Sequence, residues 1–220
     1  MMAKLQNRRP LASRQTGWAI RFSRWLAETR ITPNQISVFG MVAALIAAGC
    51  FWIANDASAT ARAILFIIAA LSVQMRLLCN LFDGMVAVEA GRASPDGGFW
   101  NEFPDRISDM LIFLGVAICT GSPALGWTAT AFAFLTAYIR ELGINTGAGA
   151  DFVGPMAKQQ RMAAITIAAI ISTMEPLWGG TGQVLRVALY IIIIGAAFTA
   201  LRRAYRIVRK LQQMGMGEAS

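Results

Sequence analysis

The residues best placed to do chemistry lie between Asn80 and Asp109. Asp83, Glu102, Asp105 and Asp109 sit there between long apolar runs, where a charged side chain costs at least a few kcal/mol unless it faces a wet cavity or a partner. Their spacing is ordered. Asn80, Asp83, Gly84 and Ala87 fall at i, i+3, i+4 and i+7 and share one face of a helix. Gly97, Asn101 and Asp105 follow at steps of four and form a polar stripe on a second helix. The Gly, Ser and Pro residues from Gly91 to Pro95 mark a turn that lets the two stripes face each other across a hydrophilic pocket. Oxygen donors converging there, in a chain with no histidine, suit Mg²⁺ or Mn²⁺ rather than zinc.

A second polar group lies downstream. Arg140 and Glu141 close an apolar run, and Lys158 and Arg161 open the next. Arg140, Lys158 and Arg161 could converge on a phosphate, the guanidinium groups through forked hydrogen bonds and the lysine as a point charge. Basic residues at helix ends also read as topological anchors.

These residues need long apolar elements to hold them. Of the 220 residues 56% are hydrophobic and only 15% charged, a balance that points to one integral membrane domain. The patterning predicts an all-α membrane protein with six transmembrane helices near 34–55, 60–88, 97–120, 123–143, 157–176 and 183–206, each long enough to cross roughly 30 Å of hydrocarbon. An amphipathic helix over 17–30 precedes them. Its Trp18, Phe22, Trp25 and Leu26 lie opposite Arg21, Arg24 and Glu28, which suits a helix lying on the membrane surface against anionic headgroups. The expected divisions are a basic tail over 1–16, the surface helix over 17–30, the six-helix domain over 31–206 and a basic to polar tail over 207–220. No cleavable signal is expected. Thr32 reads as an N-cap and Pro33 as the first helical residue. Cys50, Cys79 and Cys119 fit no metal or disulfide spacing and are expected to be packing residues.

Charge asymmetry predicts orientation. Short turns are expected at Asn55-Asp56, Gly121-Ser122-Pro123 and Gly179-Gly180, and longer charged loops over 89–96 and 144–156. Of the twenty Lys and Arg residues only Arg62 and Arg186 fall towards the short turns, so both termini and the longer loops are expected to face the cytoplasm of a bacterial-type inner membrane. The polar stripes would lie at that same face. The net charge of +8 flanks membrane spans rather than forming one soluble face, which argues against a nucleic-acid partner.

The stretch from Asn80 to Asp105 resembles the signature of the CDP-alcohol phosphotransferases, membrane enzymes of phospholipid synthesis: D-x2-D-G-x2-A-R-x8-G-x3-D-x3-D. Laid on without a gap, its fixed positions fall on Asn80, Asp83, Gly84, Ala87, Val88, Gly97, Asn101 and Asp105. Asp83, Gly84, Ala87, Gly97 and Asp105 match, while Asn80, Val88 and Asn101 depart. Shifting the glycine anchor to Gly98 would place Glu102 on the third aspartate but Arg106 on the last, so the ungapped frame is preferred. The segment Thr32-Pro33-Asn34-Gln35-Ile36-Ser37 is similar to the T-P-N-x-I-[ST] sequence that precedes the family's first span.

The resemblance implies transfer of a phosphatidyl group from a CDP-linked lipid such as CDP-diacylglycerol to an alcohol acceptor, with release of CMP. It implies a pair of divalent ions held at the Asn80, Asp83, Asn101 and Asp105 positions, and Asp105 as the base for the attacking hydroxyl. Asp83, Gly84, Ala87 and Gly97 would meet the nucleotide, with Arg92 replacing the arginine missing at Val88. Arg140, Lys158 and Arg161 would hold the phosphate of a phosphorylated acceptor, and the protein would be a homodimer among membrane lipids. An amide oxygen can ligate a hard cation but lacks the charge of a carboxylate; weaker metal binding, or help from Glu102 or Glu89, is therefore expected. Other readings are a family member that binds a CDP-lipid or headgroup without turnover, a transporter-like path, and simple neutralisation of Asp83, Asp105 and Asp109 by Arg76, Arg92 and Arg106.

Overall fold

The computed structural model describes residues 16–89 and 95–217. Within them every regular element is helical. The α-helices are α1 (Gly17–Glu28), α2 (Pro33–Ala54), α3 (Ala59–Glu89), α4 (Gly97–Cys119), α5 (Pro123–Asn145), α6 (Lys158–Ser172) and α7 (Gln183–Gly217), with a 3-10 turn over Glu175–Trp178 before α7. By length and composition α2, α3 and α7 can each cross a membrane. This is an integral membrane protein. The other helices of the bundle, α4, α5 and α6, occupy the expected positions, but α4 carries the acidic stripe, α5 ends in charged residues and α6 is only 15 residues long.

Local chemistry sets the helix ends. Thr32 Oγ1 accepts from the Gln35 N–H at 3.2 Å, and Gln35 Oε1 accepts from the Thr32 N–H at 2.9 Å. With Pro33 at the first helical position this closes a reciprocal cap at the start of α2. Gly121 and Gly179 turn the chain with φ of 62° and 71°, a left-handed conformation that costs glycine nothing. After the 3-10 turn the buried Glu175 carboxylate accepts from the N–H groups of Gly182 and Val184, capping the start of α7.

Burial runs opposite to that of a soluble protein. Phe39, Trp52, Ile53, Leu71, Ile194 and Leu201 point outward and are exposed, as lipid-facing side chains must be. Arg76, Asp109 and Arg161 are buried, at 1%, 4% and 4% exposure. Between these layers lies a core of Phe51, Phe66, Phe113, Met162, Ile165, Leu189 and their neighbours. Small residues let the backbones approach. A Cβ on Gly115 of α4 would lie 2.7 Å from the Cα of Ala48 in α2, and one on Gly126 of α5 would lie 2.5 Å from the Cβ of Ala117 in α4. All three cysteines are free, with Cys50 and Cys119 buried and Cys79 half-buried.

Two expected boundaries differ in the structure. Residues 207–217 are no simple tail, because α7 continues to Gly217. Its added turns have work to do: Ile207 and Leu211 pack with Ile139 and Ala148, Arg206 pairs with Asp151 at 2.6 Å and Lys210 donates to the Ala148 carbonyl. The fifth expected span, α6, stops at Ser172 rather than 176, since Pro176 has no N–H to continue the ladder and Glu175 turns inward. On α1, Ala19 and Leu26 are buried against Leu81, Phe82, Met85 and Val86 at the end of α3, while Trp18, Phe22 and Trp25 stay exposed. Phe22 lies 4.7 Å from Phe82, ring centre to ring centre. The helix thus both packs on the bundle and presents an aromatic face.

Candidate active site

The later part of α3, the start of α4, the end of α5, the start of α6 and the C-terminal half of α7 meet at one end of the bundle, opposite the Gly121 and Gly179 turns. They enclose a cavity of about 560 Å³. It is lined by Asn80, Asp83, Gly84 and Ala87 from α3, by Gly97, Asn101 and Asp105 from α4, and by Arg140, Lys158 and Arg161. Every singled-out residue that the structure describes therefore faces one space. Arg92 lies outside the described residues, as does the side chain of Glu89.

Asp105 is engaged through both of its oxygens. Its Oδ1 accepts from Asn80 Nδ2 at 3.0 Å, and Arg76 lies 3.3 Å from the same oxygen. Lys158 Nζ donates both to Asp105 Oδ2 and to Asn80 Oδ1, bridging α3 and α4. Asp83 differs. It is buried, at 6% exposure, and accepts from Ser37 Oγ at 2.9 Å. Among the described residues no lysine or arginine forms an ion pair with it.

Beneath them lies an ionic floor. Asp109 accepts from Arg76 at 2.9 Å through one oxygen and from Arg161 at 2.6 Å through the other. Arg161 also donates to the Met156 carbonyl and to Thr136 Oγ1, and Arg203 donates to the Thr136 and Val153 carbonyls. At the rim Glu102 pairs with both Arg106 and Arg140, and Arg140 also pairs with Glu141 at 2.8 Å. Asn101 Nδ2 donates to Glu102 Oε1 at 3.0 Å, which leaves its own Oδ1 free to accept.

Several of these partners were not legible in the sequence. Ser37 ends the hexapeptide that begins α2, yet nothing in that segment says that it reaches Asp83, 46 residues on. Arg203 reads as one of a run of membrane-surface cations on α7, but its side chain is buried and lines the cavity. Helical spacing carries the only signal: Arg203 lies four residues after Thr199, on the face of α7 that turns inward. Among the described residues no arginine pairs with Asp83, while Asp105 and Asp109 do receive neutralisation, from Arg76 and Arg161. Arg106 pairs with Glu102 instead.

No family model matches the chain. Curated relatives do. The archaetidylinositol phosphate synthase of Pyrococcus horikoshii is 24% identical over 196 residues, covering 87% of this chain and 92% of its own length. The phosphatidylinositol phosphate synthase of Streptomyces avermitilis is 21% identical over 197 residues, 86% of this chain and 77% of its own. The crystal structure of Mycobacterium tuberculosis phosphatidylinositol phosphate synthase with CDP-DAG bound aligns with a TM-score of 0.69 at 19% identity, over 86% of this chain and 92% of that one. The same enzyme in complex with manganese and citrate gives a TM-score of 0.70 at 18% identity, over 86% and 88%. The chain is related to the CDP-alcohol phosphotransferases and has their fold.

Within the CDP-alcohol phosphotransferase frame, the donor set can be tested for a metal. Asp83, Asp105, Asn80 and Asn101 offer only oxygen, which fits a hard divalent cation. Yet no three acidic, cysteine or histidine side chains among the described residues gather as a metal-binding group. Asp105 and Asn80 are already taken by Lys158. Asp83 is the cavity carboxylate that no lysine or arginine among the described residues pairs with, and a buried carboxylate in that state favours a cation.

Proposed function

We propose that this chain is a phospholipid-synthesis transferase that moves a phosphatidyl group from a CDP-linked lipid such as CDP-diacylglycerol to an alcohol, with release of CMP. The observation that carries the reading is the convergence of Asp83, Gly84, Ala87, Gly97 and Asp105, the matched signature positions, with Arg140, Lys158 and Arg161 in one cavity. The names of the relatives support a phosphorylated cyclitol as the acceptor class.

In this reading Gly84 and Ala87 keep one face of α3 low, so that the nucleotide can lie against the helix, with Gly97 opposite and Arg92 as a further contact. Mg²⁺ or Mn²⁺, held by Asp83 and Asn101 with the lone pairs that Lys158 leaves on Asn80 and Asp105, would supply neutralisation of the pyrophosphate and of charge growing on departing CMP. Arg140, Lys158 and Arg161 would hold the acceptor phosphate. Arg161 Nε is buried and has no hydrogen-bond partner among the described residues, and the Lys158 ammonium has a third N–H beyond the two oxygens it bridges. An acceptor seated there presents its hydroxyl beside Asp105, which would accept the proton.

Orientation and assembly belong to the same proposal. The six helices α2 to α7 cross the membrane, α1 lies on its surface with Trp18, Phe22 and Trp25 in the headgroup layer, and the cavity and both termini face the cytoplasm. Two chains pair as a homodimer. The 18 basic residues placed away from the short turns support this orientation.

A second reading has one observation in its favour. Asp105, the base, is held by Lys158, Arg76 and Asn80, and a carboxylate with three donors is a poor proton acceptor; the chain would then bind a CDP-lipid without turning it over. The test is CMP release by the protein in nanodiscs, given CDP-diacylglycerol, Mn²⁺ and separate acceptors including inositol phosphate, glycerol 3-phosphate, serine and inositol. Release that requires one acceptor and falls about a hundredfold or more in Asp105→Asn supports the transferase. Saturable CDP-lipid binding with no release selects the second reading.

A further inference from the structure

We infer that the Lys158 ammonium is a built-in cation of the cavity, standing where one of a pair of divalent ions would otherwise be held, so that the site takes a single divalent ion. The inference rests on the proposed CDP-lipid reading for its use, but its geometry stands apart from it. Lys158 Nζ lies on Asn80 Oδ1 and Asp105 Oδ2 at once. Those oxygens come from facing helices, 25 residues apart in sequence, and are the kind a bridging metal would take. Asn80 Nδ2 reaches across to the other Asp105 oxygen at 3.0 Å, so the amide is oriented with its carbonyl toward the ammonium. An aspartate at position 80 could not make that hydrogen bond when ionised, because a carboxylate only accepts. Asparagine and lysine thus work together: the amide removes a negative charge, and the ammonium supplies the positive charge that holds Asp105.

Charge balance leads to the same conclusion. The cavity is lined by five acidic side chains and by five basic ones, before Arg76 behind Asp105 is counted. A pair of divalent ions would leave such a site strongly positive. One divalent ion, at Asp83, which pairs with no lysine or arginine among the described residues, carries a charge equal and opposite to that of a pyrophosphate diester. Lys158 also offers its charge without dissociating, and its remaining N–H can meet an incoming phosphate from the Asp105 side.

The test counts ions. Protein in nanodiscs is titrated with Mn²⁺ in the presence of CDP-diacylglycerol, with no acceptor, and free Mn²⁺ is followed by electron paramagnetic resonance. The expected result is one Mn²⁺ per chain for the native protein and for Lys158→Arg, and two for the triple variant Asn80→Asp, Asn101→Asp, Lys158→Met. In Lys158→Met alone, which frees Asp105 and Asn80 together, Mn²⁺ should bind about tenfold more tightly or more. Two ions in the native protein, none at all, or one in the triple variant would overturn the inference. Circular dichroism of each variant checks that the helices remain. Absence of CMP release with every acceptor, alongside the expected ion counts, would sink the transferase reading and leave the built-in cation intact.

Discussion

Asp109 shows how a single residue can hold a site without touching a substrate. It lies one helical turn past Asp105 on α4 and places one oxygen on Arg76 and the other on Arg161, all three nearly inaccessible. Removing the carboxylate leaves buried Arg161 without an acidic partner among the described residues, and Arg76 with only Asp105, which Lys158 already holds. Asp109→Ala should therefore destabilise the protein by about 3–5 kcal/mol, the usual result of breaking a buried pair by deleting one partner, measured as the shift in an SDS or guanidinium unfolding curve. Loss of CMP release without any loss of stability would contradict this and move Asp109 into the chemistry. The residue types and spacing on α3 and α4 were legible in the sequence, because i, i+3, i+4 arithmetic is a property of one helix. The pairings were not. Asp109 with Arg161 spans 52 residues, Asp105 with Lys158 spans 53 and Ser37 with Asp83 spans 46, and no periodicity in one helix reports which residue of another it will meet.

At the scale of the elements, small residues decide how closely the site's helices can approach. α4 carries Asn101, Asp105 and Asp109 on one turn after another, and it is pressed against α2 at Gly115 and against α5 at Gly126. The Gly115 contact is with backbone, Ala48 Cα at 2.7 Å and Ala48 O at 2.9 Å from the position of an added Cβ, so no rotamer change can relieve it. Gly115→Leu should push α2 from α4, cost about 1–3 kcal/mol in unfolding experiments and lower transferase activity although position 115 is far along α4 from the cavity. Unchanged stability would show that the two helices can separate freely there. Element positions read well from the sequence where punctuation is strong, as at Thr32-Pro33 and Gly121-Ser122-Pro123. They failed where the reason was tertiary. Nothing local ends α7 at 206 or extends it, and it is the packing of Ile207 and Leu211 against Ile139 and Ala148 that carries the helix on to Gly217.

At the scale of the whole molecule, the bundle has two unlike ends. One holds the Gly121 and Gly179 turns, where Glu175 caps α7 and Arg186 donates to the Thr120 carbonyl at 2.6 Å. The other holds the cavity, and most of the described basic residues lie towards it. A charge difference of this kind is what the positive-inside rule acts on, and the proposed phosphorylated acceptor would reach the cavity from that side. Asp56 and Asn145 are exposed residues at the two ends, one in the turn before α3 and the other closing α5. Asp56→Cys should be labelled by a membrane-impermeant maleimide from outside intact cells, and Asn145→Cys only after the inner face is opened. The native cysteines serve as the control, since Cys50 and Cys119 are buried. Labelling of Asn145→Cys from outside would invert the molecule and put the cavity where no nucleotide-linked lipid is made. Labelling of both from one side would mean that an even number of crossings separates them rather than the three of α3, α4 and α5, and the six-span arrangement of α2 to α7 would have to be redrawn.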